Sequence, residues 1–228
     1  MDSTPRQNLG ISAYAWLKRD IIRGVYPPGE KLLMSHLKER YTLGVGPLRE
    51  ALSQLVAERL VVAISQRGYR VAPMSLAALE DIYDARAHLE ALILTLAIER
   101  GDEMWEAGVL AKAHTLARIV EVKGPDDVLD LWDARHKAFH AAIGAGCGSP
   151  HLLQARESLF DQAERYRHLW LRETVFSEQA LETKRQEHAA LVEVLLARDA
   201  EAAATMMREH LMTPVPIIAA VMRERGLA

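Results

Sequence analysis

The stretch Thr42-Leu43-Gly44-Val45-Gly46-Pro47-Leu48-Arg49-Glu50-Ala51-Leu52 constrains this chain more than any other. It reads as a short turn that launches a helix with an arginine at its exposed start. Gly44 and Gly46 permit a sharp reversal, Pro47 suits a first helical position where no N–H is needed, and Glu50 puts a carboxylate where the helix dipole favours one. Leu48, Leu52 and Leu55 recur at three and four residues, so one face packs while Arg49 and Ser53 look outward. Upstream, residues 34–41 read as another short helix with Leu37 and Tyr41 inward, and the pair makes a helix-turn-helix. An ordinary helical hairpin inside a core would show the same local pattern.

The flanking sequence favours the first reading. Residues 11–22 carry Tyr14, Leu17, Ile21 and Ile22 at helical spacing and stop at Gly24 and the Pro27-Pro28-Gly29 turn. After the pair, the β-rich runs 60–65 and 69–72 flank Gln66-Arg67-Gly68, a hairpin with Arg67 at its tip. Helix, helix-turn-helix and hairpin in that order spell a winged helix-turn-helix over residues 1–73, with the wing arginine placed to touch a DNA backbone or minor groove.

Charge supports this division. The chain has 228 residues, half of them apolar, and a net charge of −3. Residues 1–75 hold 11 Lys+Arg and 6 Asp+Glu, giving +5, and the remainder holds 17 and 25, giving −8. A basic module that meets phosphate thus precedes an acidic one with another task. Such a length supports two domains with real cores. The single Cys147 excludes an internal disulfide framework and a cysteine-based zinc site. With no basic-then-apolar leader and no run long enough to span a bilayer, we expect a soluble, cytoplasmic protein without a membrane partner.

Pro73-Met74-Ser75 reads as the hinge, with Ser75 a helix cap. Residues 76–228 then spell an all-helical bundle of about seven helices, so the fold class is mainly α. The expected spans are 76–99, 104–122, 127–143, 150 to about 172, a helix capped by Ser177 and running to 197, 199–212 and 214–225.

Four of the nine histidines interrupt apolar stripes in this half. Leu129, Trp132, His136, Phe139, His140 and Ile143 share one helix face, so His136 and His140 project together. His188 shares a face with Val192 and Leu195, and His210 lies one turn beyond Met206 and Met207. Neutral imidazoles suit a divalent transition metal such as zinc or nickel; a single histidine on such a face is more often just buried and hydrogen-bonded. His36, His88, His114, His151 and His168 show no comparable arrangement. Arg86 falls in the stripe Leu79, Ile82, Tyr83, Leu89, Ile93, so its guanidinium points inward and must find an anion, either internal (Glu90 or Asp133) or a ligand carboxylate. Arg156, Ala163 and Arg167 offer a second cationic lining, which solvent exposure would explain equally well.

These residues carry a resemblance. Ile21-Ile22-Arg23-Gly24, Pro28-Gly29-Glu30-Lys31-Leu32, Pro47-Leu48-Arg49-Glu50-Ala51-Leu52, Leu55 and Gly68-Tyr69-Arg70-Val71 stand where the GntR family of bacterial transcription regulators has its signature. Arg86-Ala87-His88-Leu89-Glu90, Phe139-His140 and Met207-Arg208-Glu209-His210-Leu211 resemble the helical ligand domain of its FadR-type, or FCD, subgroup. Residues 43–60 and 145–149 are similar to a glutarate-responsive branch of that subgroup, repressors of glutarate and γ-aminobutyrate utilisation genes. The resemblance implies DNA contacts at Gly46, Arg49, Arg67 and Gly68 and metal ligands at His136, His140, His188 and His210; effector contacts are expected at Arg86 and Arg167 from their places on the helix faces. Three positions depart from the pattern: His136 replaces an aspartate ligand, Val45 an often base-reading arginine, and Ser35 a basic residue.

The expected function is a homodimeric regulator, most simply a repressor, that leaves its double-stranded operator when a small carboxylate binds. The rival is a metal-dependent hydrolase built on the same histidines. Against it, neither histidine pair carries a glutamate at the spacing that a zincin-like helix uses for its base.

Overall fold

The computed structural model describes residues 4–124, 128–171 and 178–227, with side chains for 9–124, 130–171 and 178–227. The N-terminal part comprises α1 (Thr4–Ile22), β1 (Lys31–Leu32), α2 (Met34–Tyr41), α3 (Val45–Ala57), β2 (Val61–Ile64) and β3 (Gly68–Val71). Its core joins Ala13, Leu17 and Ile21 of α1 to Leu37, Leu48, Leu52 and Leu55 of the two following helices and to Leu60 and Val71 of the wing. Each such leucine contributes about 1.5–3 kcal/mol by burial.

Several details differ from expectation. α1 starts seven residues before Ile11. α3 begins at Val45 with Gly44 as its flanking residue, so Gly46 and Pro47 lie inside the first turn, where free N–H groups still tolerate proline. The left-handed residue of the turn is Thr42, at φ 53°, not either glycine. Glu50 lies beyond the first turn, which holds no acidic residue. The wing has a third strand, giving an antiparallel sheet of order β1-β3-β2 with Leu32 opposite Tyr69 and Ala63 opposite Tyr69 on the other side. Two residues are too short for β1 to announce itself by alternation.

Ser75 caps the next helix, its Oγ accepting from the Ala78 N–H at 3.1 Å. The second part contains α4 (Leu76–Arg100), α5 (Glu103–Ala117), a π-helical turn (Val128–Trp132) that runs into α6 (Asp133–Ala145), α7 (Pro150–Leu171), α8 (Glu178–Leu196), α9 (Ala200–Met212) and α10 (Val215–Glu224). Asp102 and Asp199 cap α5 and α9. α5 ends five residues short of Val122, yet Ile119 and Val122 stay buried in the irregular chain that follows. The expected helix start at Asp127, the end near Arg172, the cap at Ser177 and the side chain of Leu129 lie outside the described residues.

α4 is the axis of the bundle. Leu79, Tyr83, Arg86, Ala87, Glu90, Ile93, Leu94, Ala97 and Ile98 are all buried, and it packs along α9, α7, α6 and α10. A buried face that wide needs neighbours on several sides. Gly101 ends it because Trp105 lies against the backbone there, where a Cβ would meet the indole at 2.1 Å. Among the described residues no helix is long and apolar enough to cross a membrane.

Candidate functional site

The outward face of α3 is formed by Val45, Gly46, Arg49 and Ser53, all exposed. A Cβ added at Gly46 would meet nothing within 4 Å, so packing does not demand glycine, and its absence leaves the backbone open to close approach. Arg49 makes no ion pair, while its carbonyl accepts from Ser53 Oγ at 2.9 Å. At the wing tip Arg67 is exposed, Gln66 stands at φ 57° and Gly68 at φ 86°. Gly68 is there because that φ suits few side chains. Beneath this surface the buried Asp20 of α1 accepts from Arg40 at 3.0 Å and from the Tyr41 hydroxyl at 2.8 Å, which fixes α2 against α1.

In the bundle, α6 supplies His136 and His140, α8 His188 and α9 His210. Their ligand-capable nitrogens all lie within 4.8 Å of one another. His136 Nε2 is 3.1 Å from His140 Nε2, and the His140 ring centre is 5.8 Å from that of His188 and 5.3 Å from that of His210. Among the described residues His136 Nδ1, His140 Nδ1 and His188 Nε2 have no hydrogen-bond partner, an expensive state for buried polar atoms. Burial and then the neighbouring imidazoles hold His136 and His140 well below the ordinary histidine pKa, and burial with His210 and Lys184 pulls His188 down to about 3. Four converging imidazoles, three of them with a nitrogen that lacks a partner among the described residues, fit the needs of a late divalent ion. Glu187 accepts from His210 Nδ1 at 3.1 Å and from Lys184 at 2.7 Å, leaving His210 Nε2 for the cluster. Burial opposes ionisation of Glu187, but those two hydrogen bonds pull its carboxyl down to about 2.

A stability signature follows from these shifts. Unfolded imidazoles protonate near pH 6.5, the folded ones far lower, so below about pH 6.5 the unfolded chain binds the extra protons and stability falls, by up to about 1.4 kcal/mol per pH unit per histidine. For chelator-treated protein we expect a melting temperature that is flat above about pH 7 and drops steeply from about 6.5 to 5. A flat curve throughout would mean hydrated, ordinary histidines.

Beside the histidines lies a cavity of about 50 Å³ bounded by Tyr83 and Arg86 of α4, Phe160, Glu164 and Arg167 of α7, and His136 and His210. Arg86 is 3% exposed, lies 3.6 Å from Glu90 and stacks its guanidinium 4.7 Å from the centre of the Phe160 ring. Of the two internal partners expected for it, Glu90 is the one present. Asp133 instead pairs with Arg167, which also donates to Glu164 at 2.6 Å. Arg156 holds Glu90 at 2.9 Å. Both Arg156 and Arg167 are buried, so solvent exposure does not account for them. Beside the cavity Arg86, Lys137, Arg156 and Arg167 pair with Glu90, Asp133 and Glu164, four cations against three carboxylates in that network.

The sequence reading missed two features. Tyr83 has a buried hydroxyl without a partner and a pKa that burial pushes up to about 12; a tyrosine in an apolar stripe gives no signal of this. His168, set aside as unremarkable, is buried and lies 3.3 Å from Glu164 and 3.5 Å from Asp133. That trio could suggest a second metal site, but Lys137 Nζ sits 2.9 Å from Asp133 and 2.5 Å from Glu164 and already fills the place of a cation.

α7 also touches the N-terminal part. Asp161 binds Lys18 of α1 at 2.6 Å, and Arg165 donates to the carbonyl of Ala72 at 2.5 Å. Arg23, just past the end of α1, pairs with Asp130 of the π-helical turn. One helix therefore lines the cavity and contacts the helix-turn-helix part.

Comparison with known proteins follows the same division. Residues 10–71 match the model of bacterial regulatory proteins of the gntR family, and residues 81–213 match the FCD domain. The chain is 59% identical over 208 residues to the HTH-type transcriptional repressor GlaR of Escherichia coli (strain K12), spanning 91% of this chain and 94% of that protein. It is 34% identical over 204 residues to the uncharacterized HTH-type transcriptional regulator BphR of Paraburkholderia xenovorans, with 89% and 82% covered. Among solved structures, E. coli McbR/YncC superposes with a TM-score of 0.74 at 20% identity, over 92% of this chain and 96% of that one.

Proposed function

The chain belongs to the GntR family of bacterial regulatory proteins, with an FCD domain behind its helix-turn-helix, and on that premise we propose that it is a repressor released from DNA by a small carboxylate. It is a transcription regulator, not an enzyme; the hydrolase reading finds no support in these relatives. Recognition helices read half-sites in pairs, so the working form is a homodimer on a pseudopalindromic operator. Arg49, with Gly46 beside it, enters the major groove, and Arg67 and Gly68 hold phosphate or the minor groove.

The observation that carries the ligand-responsive half is the convergence of four histidines, three of them with an unpartnered nitrogen among the described residues, beside an ionic cluster of four cations and three carboxylates. His136, His140, His188 and His210 would hold zinc or nickel, whose chemistry when bound is Lewis-acid anchoring of a carboxylate oxygen. Arg86 and Arg167 take the other carboxylate, and Tyr83 donates its free hydroxyl. A histidine at position 136 in place of an aspartate leaves the site one negative charge poorer, which favours a dianion such as glutarate. The cavity holds roughly three to five waters, less than a five-carbon dicarboxylate needs. Binding must therefore move its walls, and the wall that touches α1 is α7. Release from the operator is then a population shift, requiring about 1–3 kcal/mol of coupling.

The test is a thermal-shift screen of short mono- and dicarboxylates with and without chelator, joined to operator release against glutarate concentration. Stabilisation by dicarboxylates alone, lost on chelation, is the expected pattern; equal response with chelator removes the metal from the account, and no response to any carboxylate removes the effector. For the wing, Arg67→Ala should weaken specific and nonspecific DNA alike and lower the salt slope by roughly one per protomer. A loss confined to the specific site would instead assign Arg67 to base reading.

A further inference from the structure

A cavity of about 310 Å³ lies in the seam between the helix-turn-helix part and the bundle. It shares no lining residue with the histidine cavity. Ile21, Ile22 and Tyr26 wall it from one side, Met74 and Leu169 from the other. Its charged lining is Arg23, Arg165 and Arg225, of which Arg23 already pairs with Asp130.

Arg165 is the unusual member. It is 5% exposed, its Nη2 donates to the Ala72 carbonyl, and its Nε has no partner. The other buried arginines, Arg86, Arg156 and Arg167, each meet a carboxylate; among the described residues Arg165 meets none. Burial, opposed only by Tyr166, pulls it down to about 10. A desolvated guanidinium without an anion is costly, and the usual resolution is a partner that the chain does not itself supply. His168, which lines the same cavity, also has an Nδ1 without a partner.

We propose that this seam binds a small monocarboxylate with an apolar body, its head on Arg165 and its body against Ile21, Ile22, Met74 and Leu169. A planar guanidinium matches a carboxylate in two parallel hydrogen bonds, and apolar walls disfavour a hydrated dianion such as phosphate. Because both domains build the walls, an occupant favours one arrangement of the DNA-reading part over others and so acts as a second input to operator affinity.

Full-length protein should be titrated with hexanoate and benzoate, and with hexanamide and inorganic phosphate for comparison, by thermal shift and calorimetry. Either carboxylate should raise the melting temperature saturably, and hexanamide and phosphate should not. Arg165→Met should lose that response and keep the response to dicarboxylates. Arg165→Lys should fold and bind at least about tenfold more weakly, since an ammonium cannot form the fork; it decides the case if the methionine variant does not fold. No saturable response to either carboxylate at millimolar concentration, an equal response to hexanamide, or unchanged affinity in the Arg165 variants overturns the proposal. Phosphate binding in place of the carboxylates would overturn the assigned ligand class.

Discussion

If the four histidines hold the proposed ion and glutarate is the effector, the His140→Ala protein is expected to lose that ion and to remain on its operator when glutarate is added. His140 is buried and its ring touches those of His136, His188 and His210, with centre distances of 4.5, 5.8 and 5.3 Å. Loss of a ligand should cost at least what loss of an outer-shell partner costs, about 10–100-fold in metal affinity. The variant should still bind operator, because none of these residues touches the recognition surface. Arg86→Ala should behave alike at the release step while keeping the ion, whereas His136→Asp should keep both, since an aspartate is the subgroup's usual ligand there. Elemental analysis and glutarate-dependent release from labelled operator measure the two halves separately. A metal-free wild type that responds normally would reduce the four histidines to core residues and leave Arg86 alone to explain the effector.

Arg49→Ala should abolish specific binding without disturbing the fold. The side chain is exposed and makes no ion pair, so its removal opens no cavity and orphans no charge. A base or phosphate contact of this kind is worth about 1–3 kcal/mol, and a dimer loses it twice, which amounts to roughly 30-fold at least. Operator mobility shifts alongside an unchanged melting temperature would show it. Unaltered affinity would mean that α3 does not enter the groove.

Much of the fold was legible because period and punctuation agreed. α2 fell where Leu37 and Tyr41 put it, Ser75 capped α4, and Gly101 closed it. Errors came where two local signals competed: Gly46-Pro47 looks like turn chemistry, yet the first helical turn tolerates both, so α3 started earlier than expected. β1 had no pattern to read, since a two-residue strand exists only through its pairing with β3. Within the bundle, the four histidines stand on apolar stripes, and the helical period alone brings such positions inward. Asp133 and Arg167 were named as candidates, but their network with Lys137, Glu164 and His168 was hidden, because its members come from two helices and alternate with ordinary polar residues. Nothing along the sequence tells a charged side chain at an interhelix crossing from one in solvent. Tyr83 and Arg165 were invisible for a related reason: what marks them is a missing partner, a property of the assembled interior.

The layout of α7 bears on how such a regulator can change its ligand over evolutionary time. Phe160, Glu164 and Arg167 line the histidine cavity, while Asp161 and Arg165 hold the DNA-reading part. The two sets interleave on one rigid rod but share no member. If that cavity is the effector site proposed above, substitutions at 160, 164 or 167 can reshape which small molecule is sensed and leave the contacts of 161 and 165 with the N-terminal part in place. A lineage with this architecture can adopt a new metabolic signal by point mutation, without first losing and then rebuilding its grip on its promoters.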